Sequence, residues 1–256
     1  MNFPSLPYSA AVWRRNFVLY RRTWKLNILP NFFEPLFYLA AIGVGLGNYI
    51  SGMGVESYVS FLAPALIVVA AMNGASYEGT YNAYVRLHFE KAYAAMLTTP
   101  IEPEDILLGE VMWAVTRATI YGGCFLIVVV FLGYVPPSSI IGAVIAIPLT
   151  GLLFASMAFA FCLAVPSIEF VSFYFTLFLT PMFLFSDVFF PLSDRFSGVW
   201  LWVAELLPLL HPVRLVRSTS AGTWGMLVIV DVLYILLVSG VLLLIAAKVT
   251  RARLSS

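Results

Sequence analysis

The stretch GMLVIVDVLYILLVSGVLLLIAA (225–247) decides the fold. It carries one ionisable residue, Asp231, and is long enough as a helix to cross the roughly 30 Å hydrocarbon core of a bilayer. A soluble core helix of that length would need a polar face, and this one has none. The rest of the chain repeats the pattern. Of 256 residues, 61% are hydrophobic and 11% are charged. Soluble domains run at about 45–50% apolar and about 25% charged, and a soluble globule of this size could not cover so much apolar surface. The reading is an integral membrane protein.

Six stretches meet the length of a spanning helix: 31–51, 58–80, 107–132, 139–165, 170–190 and 225–247. GYVPPSS (133–139) is a turn between the third and fourth, and VPSIE (165–169) separates the fourth from the fifth. The expected fold is all-α and polytopic, one domain over 1–256 with six transmembrane helices. The run near residue 35 follows five basic residues, and no small-residue cleavage site comes after it, so it is expected to remain as the first span. Basic residues orient the bundle. With the N-terminus in the cytoplasm, Arg14, Arg15, Arg21, Arg22, Lys25, Arg86, Lys91, Lys248, Arg251 and Arg253 lie inside, and Arg195, Arg214 and Arg217 lie outside; Arg117 falls within the third span. Both termini are therefore expected in the cytoplasm.

Three segments do not read as spans. In 8–27, Trp13, Phe17, Tyr20 and Trp24 share one helical face, with Arg14, Arg15, Arg21, Arg22 and Lys25 elsewhere. That pattern predicts an amphipathic helix in the inner membrane interface. In 191–224, the apolar GVWLWVAELLPLL (198–210) is too short to span and prolines stand at 191, 208 and 212. An outer-side re-entrant or interfacial helical hairpin before the last helix is expected. Between the second and third spans, Phe89 to Leu97 reads as a short helix. Thr98, Thr99 and Pro100 end it, and Pro103, Glu104 and Asp105 begin the next, where acids suit the positive end of the helix dipole.

The chemistry is sparse. There is no GxxxxGK[ST], so no P-loop nucleotide site. Cys124 and Cys162 sit in apolar runs without CxxC or metal spacing, and His88 and His211 fall on opposite sides in this topology; no metal site is expected. The net charge of +1 gives no field for nucleic acid. GVGLG (43–47) lies in a span, where Gly43 and Gly47 form a GxxxG helix-contact motif rather than a dinucleotide loop. Intramembrane ionisable residues are costly and default to functional candidates. Glu110 and Arg117 are seven apart on one face of the third helix, beside Trp113 and Tyr121, while Glu34, Glu78, Asp187 and Asp231 lie in or near the ends of other spans. They either pair to hold the bundle or serve as a proton relay. Two aromatic groups stand out, Tyr77, Tyr81 and Tyr84 at helical spacing, and FVSFYFTLF (170–178), which includes Phe173, Tyr174 and Phe178. Their rings pack the bundle or line a path for sugars and acyl chains.

MFLFSDVFFPLSDRF (182–196) followed by ELLPLLHPVRLVRSTSAG (205–222) resembles the carboxy-terminal signature of ABC-2 type permeases, with Asp187 where glycine is usual. TTPIEPEDILLGE (98–110) is similar to that family's cytoplasmic piece after the second helix. The resemblance covers nearly the whole chain and is nearest to the nodulation protein J branch, permeases for lipo-chitooligosaccharide export. It implies a half-transporter of the inner (cytoplasmic) membrane, with a second permease subunit, as a homodimer, and a P-loop ATPase dimer on separate chains. Those chains would bind the ATP and magnesium, so this chain needs no cofactor and is not itself an enzyme. It implies export of an amphiphilic substrate (a glycolipid, lipid-linked saccharide or hydrophobic drug) and contact with membrane lipids. It also makes 87–105 a coupling segment, with Phe89, Glu90, Lys91, Met96, Leu97, Thr98, Thr99, Pro100 and Ile101 meeting the ATPase. The competing readings are an ion-coupled secondary transporter or channel, which would want midplane carboxylates and paired broken helices, and an intramembrane enzyme, which would want clustered catalytic side chains.

Overall fold

A computed structural model describes residues 4–46, 55–192 and 197–254. Among them every regular element is helical, because at membrane depth the backbone must satisfy its own polar groups. Helix α1 (Leu6–Tyr38) continues as a π-helix over Leu39–Leu46. Helix α2 (Val55–Tyr77) runs on through two π-helical stretches, Glu78–Asn82 and Val85–Phe89. A short helix α3 (Ala92–Met96) precedes α4 (Pro103–Phe131) and α5 (Ser139–Cys162). The fifth apolar run is composite: a 3-10 turn (Ile168–Phe170), α6 (Val171–Phe173), a π-helix (Tyr174–Leu179) and α7 (Thr180–Phe185). Two shorter helices, α8 (Val199–Ala204) and α9 (Leu210–Ser220), lead to α10 (Met226–Leu254).

Five helical runs among the described residues are long and apolar enough to cross a membrane: Tyr58–Phe89, Pro103–Phe131, Ser139–Cys162, Ile168–Phe185 and Met226–Leu254. The sequence gives six. The remaining one, 31–51, ends outside the described residues, as does Gly47 of the GxxxG motif, and the surroundings of Glu34 and Gly43 are likewise outside them. α1 passes through 28–30 as one helix, so the 8–27 segment and the start of the 31–51 run lie on a single element. Of the expected hairpin at 191–224, residues 193–196 lie outside the described ones; the rest forms α8 and α9 joined by a turn.

α2 is the centre of the molecule. The most apolar window of its span is 89% buried, against 22% for Ile168–Phe185 and 17% for Met226–Leu254, whose outer faces are left for lipid or another chain. α4 packs against α1, α2 and α5, and α5 is also lined by α9 and α10. Where helices meet closely, glycine is the reason. A methyl group on Gly109 of α4 would stand 2.5 Å from the Ser9 carbonyl oxygen and 2.6 Å from Val12 Cβ of α1. One on Gly142 of α5 would collide with Thr219 of α9 at 1.9 Å.

One end of the bundle is closed by a separate small core of Val12, Ala92, Tyr93, Met96 and Ile106. There α3 lies across the starts of α1 and α4. Asp105 Oδ1 accepts the Ser5 N–H at 2.5 Å, and Asp105 Oδ2 accepts the Glu102 N–H at 2.9 Å, so one side chain caps α4 and ties α1 to it. The tail of α10 joins through Arg251 and Glu104, 2.7 Å apart, and through Arg253 donating to the Val165 carbonyl at 3.1 Å.

Candidate functional site

Four ionisable side chains meet inside the bundle near the α3 end. Arg86 Nη1 is 2.6 Å from Glu78 Oε1, and its Nη2 donates to Glu110 Oε2 at 2.6 Å. Arg117 pairs with Glu78 Oε2 and donates to the Tyr121 hydroxyl. Asn82 adds an N–H to Glu78 Oε2 at 2.8 Å. All four are buried. Two acids and two bases sum to zero charge, so the cluster stays in the apolar interior without an unpaired ion. The helical geometry explains how. Glu110 and Arg117 share a face of α4, as their spacing predicts, but neither pairs with the other; both reach across to α2. The two π-helical stretches of α2 shift its register so that Glu78 and Arg86, eight residues apart, address the same partner helix. That shift has no sequence signature, and Arg86 reads in the sequence as an ordinary cytoplasmic-side charge at a span's end.

The aromatic face of α1 lines the neighbouring wall. Trp13 donates to Thr116 Oγ1 at 2.9 Å and stacks on Phe17 at 5.4 Å; Phe17 and Tyr20 both make T-shaped contacts with Trp113; Arg117 sits 5.3 Å from the Tyr20 ring centroid. Three of the four residues expected to face lipid therefore turn toward α4, and Trp24 alone is exposed. Burying aromatic area against α4 outcompetes placing it at the interface, because the small Gly109 lets α1 come close. A cavity of about 320 Å³ remains between these walls, lined by Asn16, Tyr20, Arg22, Glu78, Arg86 and Arg117 among others.

A second cavity, about 200 Å³, opens between α1, α2 and the fifth run. Its lining is Tyr38, Val69, Met72, Asn73, Tyr77, Phe175, Leu179, Thr180 and Phe183. Tyr77 and Tyr81 both stack on Phe175, at 4.6 and 5.6 Å, and Tyr38 meets Phe183 at 5.3 Å. Of the aromatic residues expected along a path, Tyr77 lines this cavity and Tyr81 stands beside it. Tyr84 is turned away, bonding the Pro166 carbonyl at 3.2 Å; Tyr174 is buried and shares a hydrogen bond with Ser76. Phe173 and Phe178 lie on the exposed face of the run. Phe183, Tyr38 and Asn73 carry no sequence signal for this cavity; within the aromatic stretch 170–178, the π-helix at Tyr174–Leu179 turns Phe175 rather than Phe178 toward Tyr77.

At the opposite end, Asp231, wholly buried, binds His211 Nδ1 at 2.8 Å and Arg214 at 2.6 Å, and Arg214 also holds Glu205 at 2.5 Å. Burial draws the Arg214 pKa down, but the hydrogen bonds of Asp231 and Glu205 outweigh it and hold the guanidinium above its ordinary value. The His211 ring stacks on Tyr234 at 3.6 Å. Asp187 has φ of 62°, a left-handed conformation that glycine adopts freely. That accounts for the glycine usual at this position in the resemblance. Aspartate is held there by its own bonds: Oδ1 accepts the Leu192 N–H at 2.8 Å, and Oδ2 pairs with Arg217. Burial pushes Arg217 down to about 10 against the pull of Asp187, which leaves it charged at neutral pH.

The coupling candidates sit at the α3 end. Lys91 has φ of 51° and turns the chain from the π-helix into α3. Phe89, Glu90 and Lys91 are exposed, Met96 is buried under α3, and Leu97 to Ile101 form the turn and strap to α4, with Thr98 to Pro100 exposed. Glu90 lies 3.7 Å from Arg15. No group of His, Cys, Asp and Glu able to hold a metal occurs among the described residues.

Apolar helices of spanning length that bury paired charges inside define a multi-pass membrane protein. The chain belongs to the ABC-2 type transporter family, whose model matches residues 9–221. It is 35% identical over 213 residues to Nodulation protein J of Rhizobium meliloti (strain 1021), covering 83% of this chain and 81% of that one. It is 32% identical over 249 residues to Nodulation protein J of Azorhizobium caulinodans, covering 96% of each. It is 23% identical over 237 residues, 89% of this chain and 91% of the other, to Inner membrane transport permease YadH of Escherichia coli (strain K12). The chain is thus a transport permease rather than a catalytic enzyme.

Proposed function

We propose that the protein is the membrane-spanning subunit of an exporter driven by a separate P-loop ATPase dimer, which binds the ATP and magnesium. It would sit in the inner membrane with both termini cytoplasmic and work as a pair of identical permease subunits. Its substrate is amphiphilic, a glycolipid, lipid-linked saccharide or hydrophobic drug. The observation that carries this reading is the aromatic cavity between α2 and the sparsely packed fifth run, with one amide, Asn73, among rings. Flat rings stack on sugar faces and lie along acyl chains, and a few polar groups, here Asn73 and Thr180, orient a headgroup. The ion-coupled alternative needs a carboxylate open to protons near the midplane; Glu78 and Glu110 are each held by an arginine.

The ATPase would grip the segment 89–101, whose exposed members surround a helix braced on α1 and α4. ATP-driven closure of the partner would move α3, and the small core beneath it would carry the motion into α4 and the buried charge network. The reconstituted permease–ATPase complex with E90K/K91E is expected to keep basal ATP hydrolysis and lose the stimulation by glycolipid or drug. Unchanged stimulation with unchanged complex formation rejects the coupling role.

A further inference from the structure

We propose that the outward face of α1 is a binding groove for acidic phospholipid. With Val12, Trp13, Asn16, Phe17 and Tyr20 turned toward α4, the face left over is not an aromatic anchor. It is a groove of about 350 Å³ lined by Ala11, Arg14, Arg15, Val18, Leu19 and Arg22. Three guanidiniums frame three aliphatic residues, and Val18 and Leu19 are each 44% exposed in the middle. Arg21 and Lys25 extend the charge along the same helix, and both are exposed. Among the described residues the one ion pair in this set is Arg15 with Glu90, 3.7 Å apart; Arg14, Arg21, Arg22 and Lys25 have none, and Arg22 also borders the cavity that holds Glu78. A cationic rim around an apolar floor, on a helix joined to a membrane bundle, matches a phosphodiester headgroup above its acyl chains. An acidic protein surface would meet the charges but leave Val18 and Leu19 without a partner. This inference needs the membrane location alone and stands apart from the cargo and the ATPase.

The test uses the full chain in nanodiscs of equal phosphatidylglycerol and phosphatidylcholine, with retained lipids counted by native mass spectrometry after mild detergent release. The wild type is expected to retain phosphatidylglycerol in excess, and the excess should shrink as sodium chloride is raised. R14Q/R22Q should lower the enrichment roughly tenfold at unchanged helicity and monodispersity. Both sites are exposed, so folding should survive; V18Q/L19Q is the second variant and should shorten lipid residence while the salt dependence remains. Equal retention of the two lipids by the wild type, or full enrichment in R14Q/R22Q, overturns the proposal. So does a result in which R14Q/R22Q loses an acidic protein partner and keeps its lipids.

Discussion

Arg86 is the residue on which the interior charge balance turns. Among the described residues it is the one side chain ion-paired with both carboxylates of this network, Glu78 and Glu110, whereas Arg117 pairs with Glu78 and has Tyr121 besides. Removing one member of a buried pair leaves an uncompensated ion, which costs about 3–5 kcal/mol, while removing both can be nearly neutral. R86Q is therefore expected to lower thermal stability in detergent more than R117Q, and R86Q/E110Q should recover part of the loss. If R86Q and R117Q unfold at the same temperature as wild type, the network contributes nothing to the fold. Asp187 makes a different point at the same scale. It occupies a conformation usual for glycine, and the structure supplies the compensation in the Leu192 amide and Arg217.

Among the elements, the α1–α4 contact is one where a single methyl group would strike backbone. G109A would drive Cβ into the Ser9 carbonyl, a backbone atom that cannot swing away, so α1 would have to shift along with its Trp13–Thr116 bond. The expected cost is about 1–3 kcal/mol. Gly123 lies on the same helix with nothing within 4 Å of a Cβ. G123A should be neutral or stabilising by up to about 1 kcal/mol, since alanine is the better helix former. Each variant adds one methyl group to the same helix, so thermal unfolding of the pair separates packing from propensity. A G109A protein as stable as G123A would mean that α1 does not dock as described. π-helical stretches are the second lesson at this scale. Glu78, Arg86 and Phe175 each lie within such a stretch, while Leu39–Leu46 carries none of these residues.

The whole molecule is a buried helix with looser helices around it. α2 is enclosed by its neighbours, while the fifth run buries little of its surface and contains a 3-10 turn, a π-helix and two short α-helices. Segments with few buried contacts are the ones that open at low cost. The cavity at Tyr77 and Phe175 lies on that seam, so opening the fifth run would enlarge it. Y77A/F175A is expected to cut export and substrate-stimulated ATP hydrolysis severalfold while leaving assembly with the ATPase intact. Y84A, altered at a residue turned to the Pro166 carbonyl, should leave substrate stimulation near wild type. Equal losses in both variants would remove the cavity from the substrate path.

Composition and run length by themselves determined that this is an all-helical, multi-pass membrane protein, because a bilayer imposes a minimum apolar length that Met226–Leu254 and its fellows display plainly. Motifs around 98–110 and 182–222 were enough to indicate the family. The tertiary structure alone decided which charges meet. Helical spacing put Glu110 and Arg117 on one face, but their partners lie on α2, and the register that brings Glu78 and Arg86 opposite them depends on π turns without a sequence signature. It also decided which way α1 faces. An aromatic stripe is equally suited to lipid and to protein, and the choice fell to protein because Gly109 opens a space on α4 that only the packed bundle reveals.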